Sequence, residues 1–174
     1  MTSSSPSIGD LRSVTQPDAT MRRANAEHWA GRLYMRRLSP YVTRLLLATP
    51  LSANAVTALM IPAGLLAALC LSLPVLIGAV GALAFMQLQL LLDCCDGEVA
   101  RWRGESSAMG IYLDRIAHHI SEAALLGALG VRAAGGWASI DHWTTLGLLV
   151  AVILLIVKAE THLVHVSRAL VDCR

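Results

Sequence analysis

The sequence predicts an all-α, polytopic membrane protein: a bundle of transmembrane helices preceded by an amphipathic helix at the membrane interface. Of the 174 residues, 55% are hydrophobic and only 15% are charged, a balance too apolar for an ordinary soluble domain. The mean hydropathy of +0.57 agrees with this. Several stretches also approach the roughly 20 apolar residues that one membrane crossing requires.

Four apolar stretches predict four spans. Ser52 or Asn54 can cap the first span, and Pro74 ends it. A short basic link joins the second span to the third, and a loop with two consecutive glycines precedes the fourth. The predicted spans are residues 53–73, 75–100, 108–133 and 143–166.

Two segments precede the spans. Residues 1–20 are rich in Ser and Pro, have little to bury, and are predicted to be a disordered tail. Residues 21–50 are predicted to form an interfacial amphipathic helix, with a solvated connecting helix as the alternative. Residues 51–174 then form the transmembrane domain. The apolar residues that alternate with arginines in the amphipathic segment are Trp29, Leu33, Tyr34, Leu38 and Tyr41.

The placement of positive charge predicts the topology. The net charge is only +2, yet seven of the fourteen basic residues precede the first span, and Arg101 and Arg103 lie in the link. Only Arg132 lies near the opposite side. By the positive-inside rule, the N-terminus and the link face the cytoplasm. No compact soluble fold presents these arginines, which argues against nucleic-acid binding. The four cysteines form neither a disulfide framework nor a zinc pattern, so reduced thiols are expected.

Carboxylates inside spanning helices are costly and therefore mark function. Asp93, Asp96 and Glu98 lie near the cytoplasmic end of the second span, and Asp114 lies near the cytoplasmic start of the third. At about 100° per residue, Asp93, Asp96 and the small residues Gly97 and Ala100 share one face, whereas Glu98 points elsewhere. On the third span, Gly110, Asp114 and His118 lie one turn apart on one face.

Three close carboxylates stay ionised only if a cation neutralises them. Hard oxygen ligands favour magnesium, manganese or calcium over zinc. The small side chains on the same face let a ligand approach closely. The residues themselves thus predict a divalent-metal site, open to the cytoplasm, for a phosphate-bearing substrate. The alternative is a structural polar cluster paired with Arg101 and Arg115.

The residues from 93 to 118 also resemble a known signature. Asp93, Asp96, Gly97, Ala100, Arg101, Gly110 and Asp114 match seven of the eight defined positions of the CDP-alcohol phosphotransferase motif D-x2-D-G-x2-A-R-x8-G-x3-D-x3-D, with its spacing intact. The stretch from Thr49 to Thr57 resembles that family more weakly. The resemblance implies that Gly97, Ala100, Arg101 and Gly110 line a nucleotide site.

The eighth position differs, because His118 replaces the last aspartate, the family's presumed general base. A neutral imidazole accepts a proton near pH 7 or ligates a metal through nitrogen, but it does not bridge two cations as a carboxylate does. Asp114 is a second candidate for the base, and Glu122 is a further acid on that side. Lys158 and His162 share a helix face. They either reach the cavity and an acceptor phosphate, or have a structural role in which they pair with each other or extend to the membrane interface.

The resemblance implies a reaction and its participants. Two Mg²⁺ or Mn²⁺ ions on Asp93, Asp96 and Asp114 hold the diphosphate of a CDP-linked donor, with CDP-diacylglycerol favoured, and CMP leaves as an alcohol attacks. It implies phospholipid biosynthesis in a bacterial cytoplasmic membrane and a homodimer. It also implies six spans where four are predicted here, so that the domain is C-terminally incomplete, is completed by a second chain, or has lost its activity.

Two other functions stay open at this point. A catalytically lapsed relative would bind nucleotide or metal as a partner subunit, which the His118 replacement motivates. A cation transporter would also place carboxylates within a membrane, but it predicts no interaction with cytidine nucleotides.

Overall fold

The fold is described by a computed structural model, which covers residues 6–16 and 34–172. Within these residues the regular secondary structure is entirely helical, as the sequence predicts. There are six such helices: α1 Ile8–Thr15, α2 Arg36–Leu47, α3 Ala53–Ser72, α4 Leu76–Arg103, α5 Ala108–Ala133 and α6 His142–Asp172.

The four long helices correspond to the four predicted spans; their ends differ from the prediction by three residues or fewer, except that α6 continues six residues beyond its predicted end. The backbone N–H of Ala55 donates to Ser52 Oγ at 3.2 Å, so Ser52 caps α3 as expected. Among the described residues, α3, α4 and α6 are long and apolar enough to cross a membrane. The 26-residue helix α5 is not in that group, because Asp114, Arg115, His118 and Glu122 make it more polar.

The predicted disordered tail is wrong for residues 8–15, which form α1. Ser7 caps this helix by accepting a hydrogen bond from the Asp10 backbone N–H at 3.1 Å. Leu11 and Thr15 are fully buried. So short a helix is not stable alone, and this burial explains why a tail of unfavourable composition folds.

Helix α2 lies within the predicted amphipathic segment and exposes Leu38, Tyr41 and Leu45. Its position at a membrane interface stays a prediction. Residues 17–33 of the predicted tail and amphipathic helix, and residues 1–5, lie outside the described residues.

The chain divides into two compact units. The first unit comprises the residues up to Ala63 together with Met86–Ala117. Its core contains buried side chains from three helices, α3, α4 and α5. The buried core residues are Val56, Met60, Ala63, Leu92, Cys95 and Ala117.

The second unit comprises Gly64–Phe85 and the residues from His118 onward. Helices α5 and α6 approach closely in this unit, because a Cβ added to Gly147 would lie only 2.8 Å from Gly130 Cα. Much of the remaining surface is apolar and exposed: only 6% of the most apolar stretch of α6 is buried. Such a surface suits contact with lipid.

Candidate active site

A cavity of about 410 Å³ lies within the first unit. Its wall includes seven of the eight residues that the sequence predicts for the site, contributed by α4 and α5. The seven residues are Asp93, Asp96, Gly97, Ala100, Arg101, Gly110 and Asp114. The helical period placed these residues on facing surfaces, and the structure brings them to one cavity.

Asp93 on α4 and Asp114 on α5 are two possible metal ligands of the first unit. A carboxylate oxygen of one lies within 4.8 Å of a carboxylate oxygen of the other. His118 follows Asp114 by one turn of α5, so the helix itself holds the imidazole beside the carboxylate. Ligands of one six-coordinate magnesium ion, each about 2.1 Å from the metal, lie roughly 3 to 4.2 Å apart. The donor set and its spacing therefore fit a hard divalent cation with small side-chain adjustments.

Asp96 lines the same cavity but is not in that close group. Its carboxylate oxygen Oδ2 accepts a hydrogen bond from the Thr57 hydroxyl at 2.6 Å. Thr57 is almost fully buried on the first turns of α3. This contact orients Asp96 from a neighbouring helix, the kind of support that aligns metal-ligating carboxylates.

The two signature glycines are close to protein groups. A Cβ at Gly97 would lie 3.2 Å from Arg101 Nη1, and a Cβ at Gly110 would lie 2.9 Å from Asn54 Oδ1. The sequence analysis assigned the space beside these two glycines to a nucleotide. In the structure, the Arg101 guanidinium lies beside Gly97 and the Asn54 side-chain amide lies beside Gly110, and both residues line the cavity.

Glu98 is outside the cavity wall, as its helical angle predicted. Its side chain is fully buried. Oε1 accepts from the Ser39 hydroxyl at 2.6 Å and from Gln16 Nε2 at 2.8 Å, and Oε2 accepts from the Thr43 hydroxyl at 2.7 Å. These donors satisfy a carboxylate that would otherwise be costly to bury.

Sequence reasoning did not assign ten residues of the cavity wall to the site, among them Arg36, Asn54 and Thr57. Asn54 and Thr57 lie one turn apart at the start of α3, in the stretch with the weaker family resemblance. That resemblance was the available signal for these two. Arg36 had no local signal, because it is one of several arginines in its segment.

The other ionisable residues that were considered for the site make contacts within the second unit. Lys158 Nζ lies 2.6 Å from Glu122 Oε2. The ring centroids of His119 and His162 are 5.0 Å apart. The structure therefore favours the structural interpretation of Lys158 and His162.

A family comparison extends these observations beyond the cavity. The sequence profile described as CDP-alcohol phosphatidyltransferase matches residues 50–171, well over half of the chain and all eight predicted site residues. This family is divalent-metal dependent, and Asp93 and Asp114 are possible metal ligands in this chain. A comparison with curated proteins finds no match.

Proposed function

Because the chain belongs to the CDP-alcohol phosphatidyltransferase family, we propose that it transfers a phosphatidyl group from CDP-diacylglycerol to an alcohol and releases CMP. Family membership by itself supports a phosphotransferase role in phospholipid synthesis, without naming the donor or the acceptor. One observation supports the finer proposal most strongly: the seven matched signature residues line a single cavity. The lipid donor is favoured because three helices in the described part of the chain are long and apolar enough to cross a membrane.

In this proposal, Asp93, Asp96 and Asp114 would hold two divalent ions, Mg²⁺ or Mn²⁺. The bound cations would neutralise charge on the diphosphate and orient the reacting oxygens. Thr57 keeps Asp96 turned toward the cavity through its 2.6 Å hydrogen bond. The wall around Gly97, Ala100, Arg101 and Gly110 receives the nucleotide portion of the donor.

A residue of this chain can also remove the proton from the hydroxyl group of the acceptor alcohol. His118, in its neutral form, accepts the proton of the acceptor hydroxyl at a ring nitrogen. The hydroxyl oxygen forms a bond to the β-phosphorus, and the bond from that phosphorus to the bridging oxygen breaks. CMP leaves with that oxygen and its electron pair. We place the reaction at the cytoplasmic face of the membrane, following the distribution of arginines; a bacterial membrane and a homodimer stay predictions.

CMP release tests the proposal. The full-length protein in detergent micelles should release CMP from CDP-diacylglycerol when magnesium or manganese and an alcohol acceptor are supplied. Serine, glycerol 3-phosphate and inositol phosphate are the acceptors to compare. Asp93→Asn should abolish the release, and chelation of the metal should do the same. Release that is unchanged in Asp93→Asn would overturn the assigned site.

His118 favours a second candidate, a catalytically lapsed subunit that binds nucleotide. His118→Asp, which restores the family residue, separates the two candidates. A transferase that uses His118 as its base should lose activity in His118→Ala and retain much of it in His118→Asp. A lapsed protein should be inactive as it stands, should bind CDP, and should gain CMP release in His118→Asp.

A further inference from the structure

The end of helix α1 contacts both arginines that line the cavity. The Thr15 carbonyl accepts a hydrogen bond from Arg101 Nε at 2.7 Å. The Gln16 side-chain amide donates to the Arg36 carbonyl at 3.0 Å and to Glu98 Oε1 at 2.8 Å. Helix α1 precedes the segment that matches the family, and the function proposed above assigns it no role.

Helix α1 is firmly held at this place. Leu11 and Thr15 are fully buried, so the end of the helix cannot shift without exposing them. The Thr15 carbonyl also lies at the helix C-terminus, the end that carries partial negative charge and attracts a guanidinium. A fixed acceptor thus constrains Arg101 from outside its own helix.

Glu98 constrains the second arginine. Arg36 Nη1 lies 4.0 Å from Glu98 Oε1. Glu98 is itself fixed by hydrogen bonds from Gln16, Ser39 and Thr43. Gln16 therefore acts on Arg36 twice: it binds the Arg36 backbone directly, and it helps to hold the carboxylate that faces the guanidinium.

The charge of the cavity explains why arginines are needed there. Its wall carries the carboxylates of Asp93, Asp96, Asp114 and Glu105, which repel an anionic substrate in the absence of cations. A planar guanidinium binds phosphate oxygens through paired hydrogen bonds. Holding such a long side chain in place before the substrate arrives lowers the entropic cost of binding.

We propose that Thr15 and Gln16 at the end of α1, together with Glu98, are positioning residues that hold Arg101 and Arg36 to bind a phosphate group of the substrate. This inference rests on the proposed function, because it takes a phosphorylated substrate in the cavity as given. The phosphate belongs either to the diphosphate of the CDP-linked donor or to a phosphorylated acceptor.

Binding of CDP to the full-length protein, measured by calorimetry in detergent with magnesium, is the first test. Loss of one hydrogen bond to a charged group predicts that Gln16→Ala raises the Kd for CDP about five- to tenfold. Glu98→Gln should act in the same direction, and it preserves the shape of the buried side chain. Ser13→Ala, on the exposed face of α1, is the matched control and should leave the Kd unchanged.

A double-mutant cycle distinguishes positioning from a general structural effect. If Gln16 acts through Arg36, Gln16→Ala should have no further effect on the Kd in an Arg36→Met background. A merely structural residue would add its full effect in both backgrounds, and that result would overturn the proposal. Thermal unfolding of each variant verifies that the compared proteins are folded.

The source of the phosphate follows from a second measurement. If the donor diphosphate is bound, the Kd for CDP changes as described. If an acceptor phosphate is bound, Gln16→Ala leaves the Kd for CDP unchanged and raises the KM for glycerol 3-phosphate while the KM for serine stays constant. No change in any of these constants would overturn the inference. CDP binding requires no turnover, so absent CMP release with a weakened CDP affinity would count against the transferase and not against the positioning role.

Discussion

The two units of this chain are stabilised by different kinds of contact. In the first unit, buried polar groups are paired across helices: Glu98 accepts three hydrogen bonds, and Asp96 accepts one from Thr57. In the second unit, the backbones of two helices approach closely at Gly130 and Gly147. Much of the surface of this unit is apolar and exposed. Burying a carboxylate is costly unless it is paired, and the two carboxylates that are buried among the described residues, Asp96 and Glu98, both lie in the first unit.

The comparison also shows how the same residue types serve different purposes. Asp114 and Glu122 are carboxylates on one helix, α5. Asp114 lines the cavity of the first unit, whereas Glu122 pairs with Lys158 in the second. A carboxylate in a membrane-spanning region suggests function, but its partners determine what that function is.

The largest expected effect tests this contrast directly. Asp114→Asn should lower kcat/KM for CMP release by about a thousandfold, roughly 4 kcal/mol, because a proposed metal ligand loses its charge. The matched change Glu122→Gln should leave kcat/KM within about twofold, since a partly exposed ion pair contributes only about 0–1 kcal/mol. A large loss of activity in Glu122→Gln would instead support Glu122 as the proton acceptor.

A second prediction concerns the support of Asp96. Thr57→Val removes the hydroxyl that donates to this carboxylate, so we expect kcat/KM to fall about 10- to 100-fold with a weaker apparent affinity for magnesium. Thr57→Ser keeps the hydroxyl and should remain near the original activity. Equal losses in the two variants, measured over a magnesium titration, would show that packing and not the hydrogen bond matters.

A third prediction addresses the second unit. A Cβ at Gly147 would lie 2.8 Å from both Gly130 Cα and the Leu126 carbonyl oxygen, and backbone atoms yield little. Gly147→Val should therefore destabilise the protein by about 1–3 kcal/mol. The thermal unfolding midpoint in detergent should fall, while the Kd for CDP of the folded protein stays constant. An unchanged midpoint would show that this approach is not tight.

The smallest expected effect is at Arg132. Its guanidinium donates to the carbonyl oxygens of Leu71 at 3.3 Å, of Leu73, and of Val75 at 3.2 Å. It thus satisfies backbone groups at the end of α3, where a positive charge is favourable. Arg132→Gln should cost about 1 kcal/mol of stability and leave the activity unaffected. A loss of CMP release without a lower unfolding midpoint would contradict this structural role.

Sequence alone predicted the long helices well for a physical reason. The apolar length needed to cross a membrane is a local property, so α3, α4 and α6 could be read from hydropathy, with errors of up to six residues at their ends. It failed at α1. The Ser- and Pro-rich composition there predicts disorder, and the helix depends on burial of Leu11 and Thr15 among residues distant in the chain.

In the candidate site, too, the relations that lie within one helix could be predicted from the sequence. The helical period placed Asp93, Asp96, Gly97 and Ala100 on one face and turned Glu98 away, and the cavity wall agrees with both expectations. The period also set His118 one turn from Asp114, because that relation lies within a single helix.

The sequence by itself therefore determined three things: that the chain is suited to a membrane, where its long helices lie, and which residues share a face within each helix. Only the tertiary structure decided which groups meet across helices: Thr57 with Asp96, Asn54 with Gly110, and Gln16 with Glu98. Such contacts depend on the rotation and depth of each helix relative to its neighbours. Packing of many side chains sets these quantities, and no short segment of the sequence encodes them.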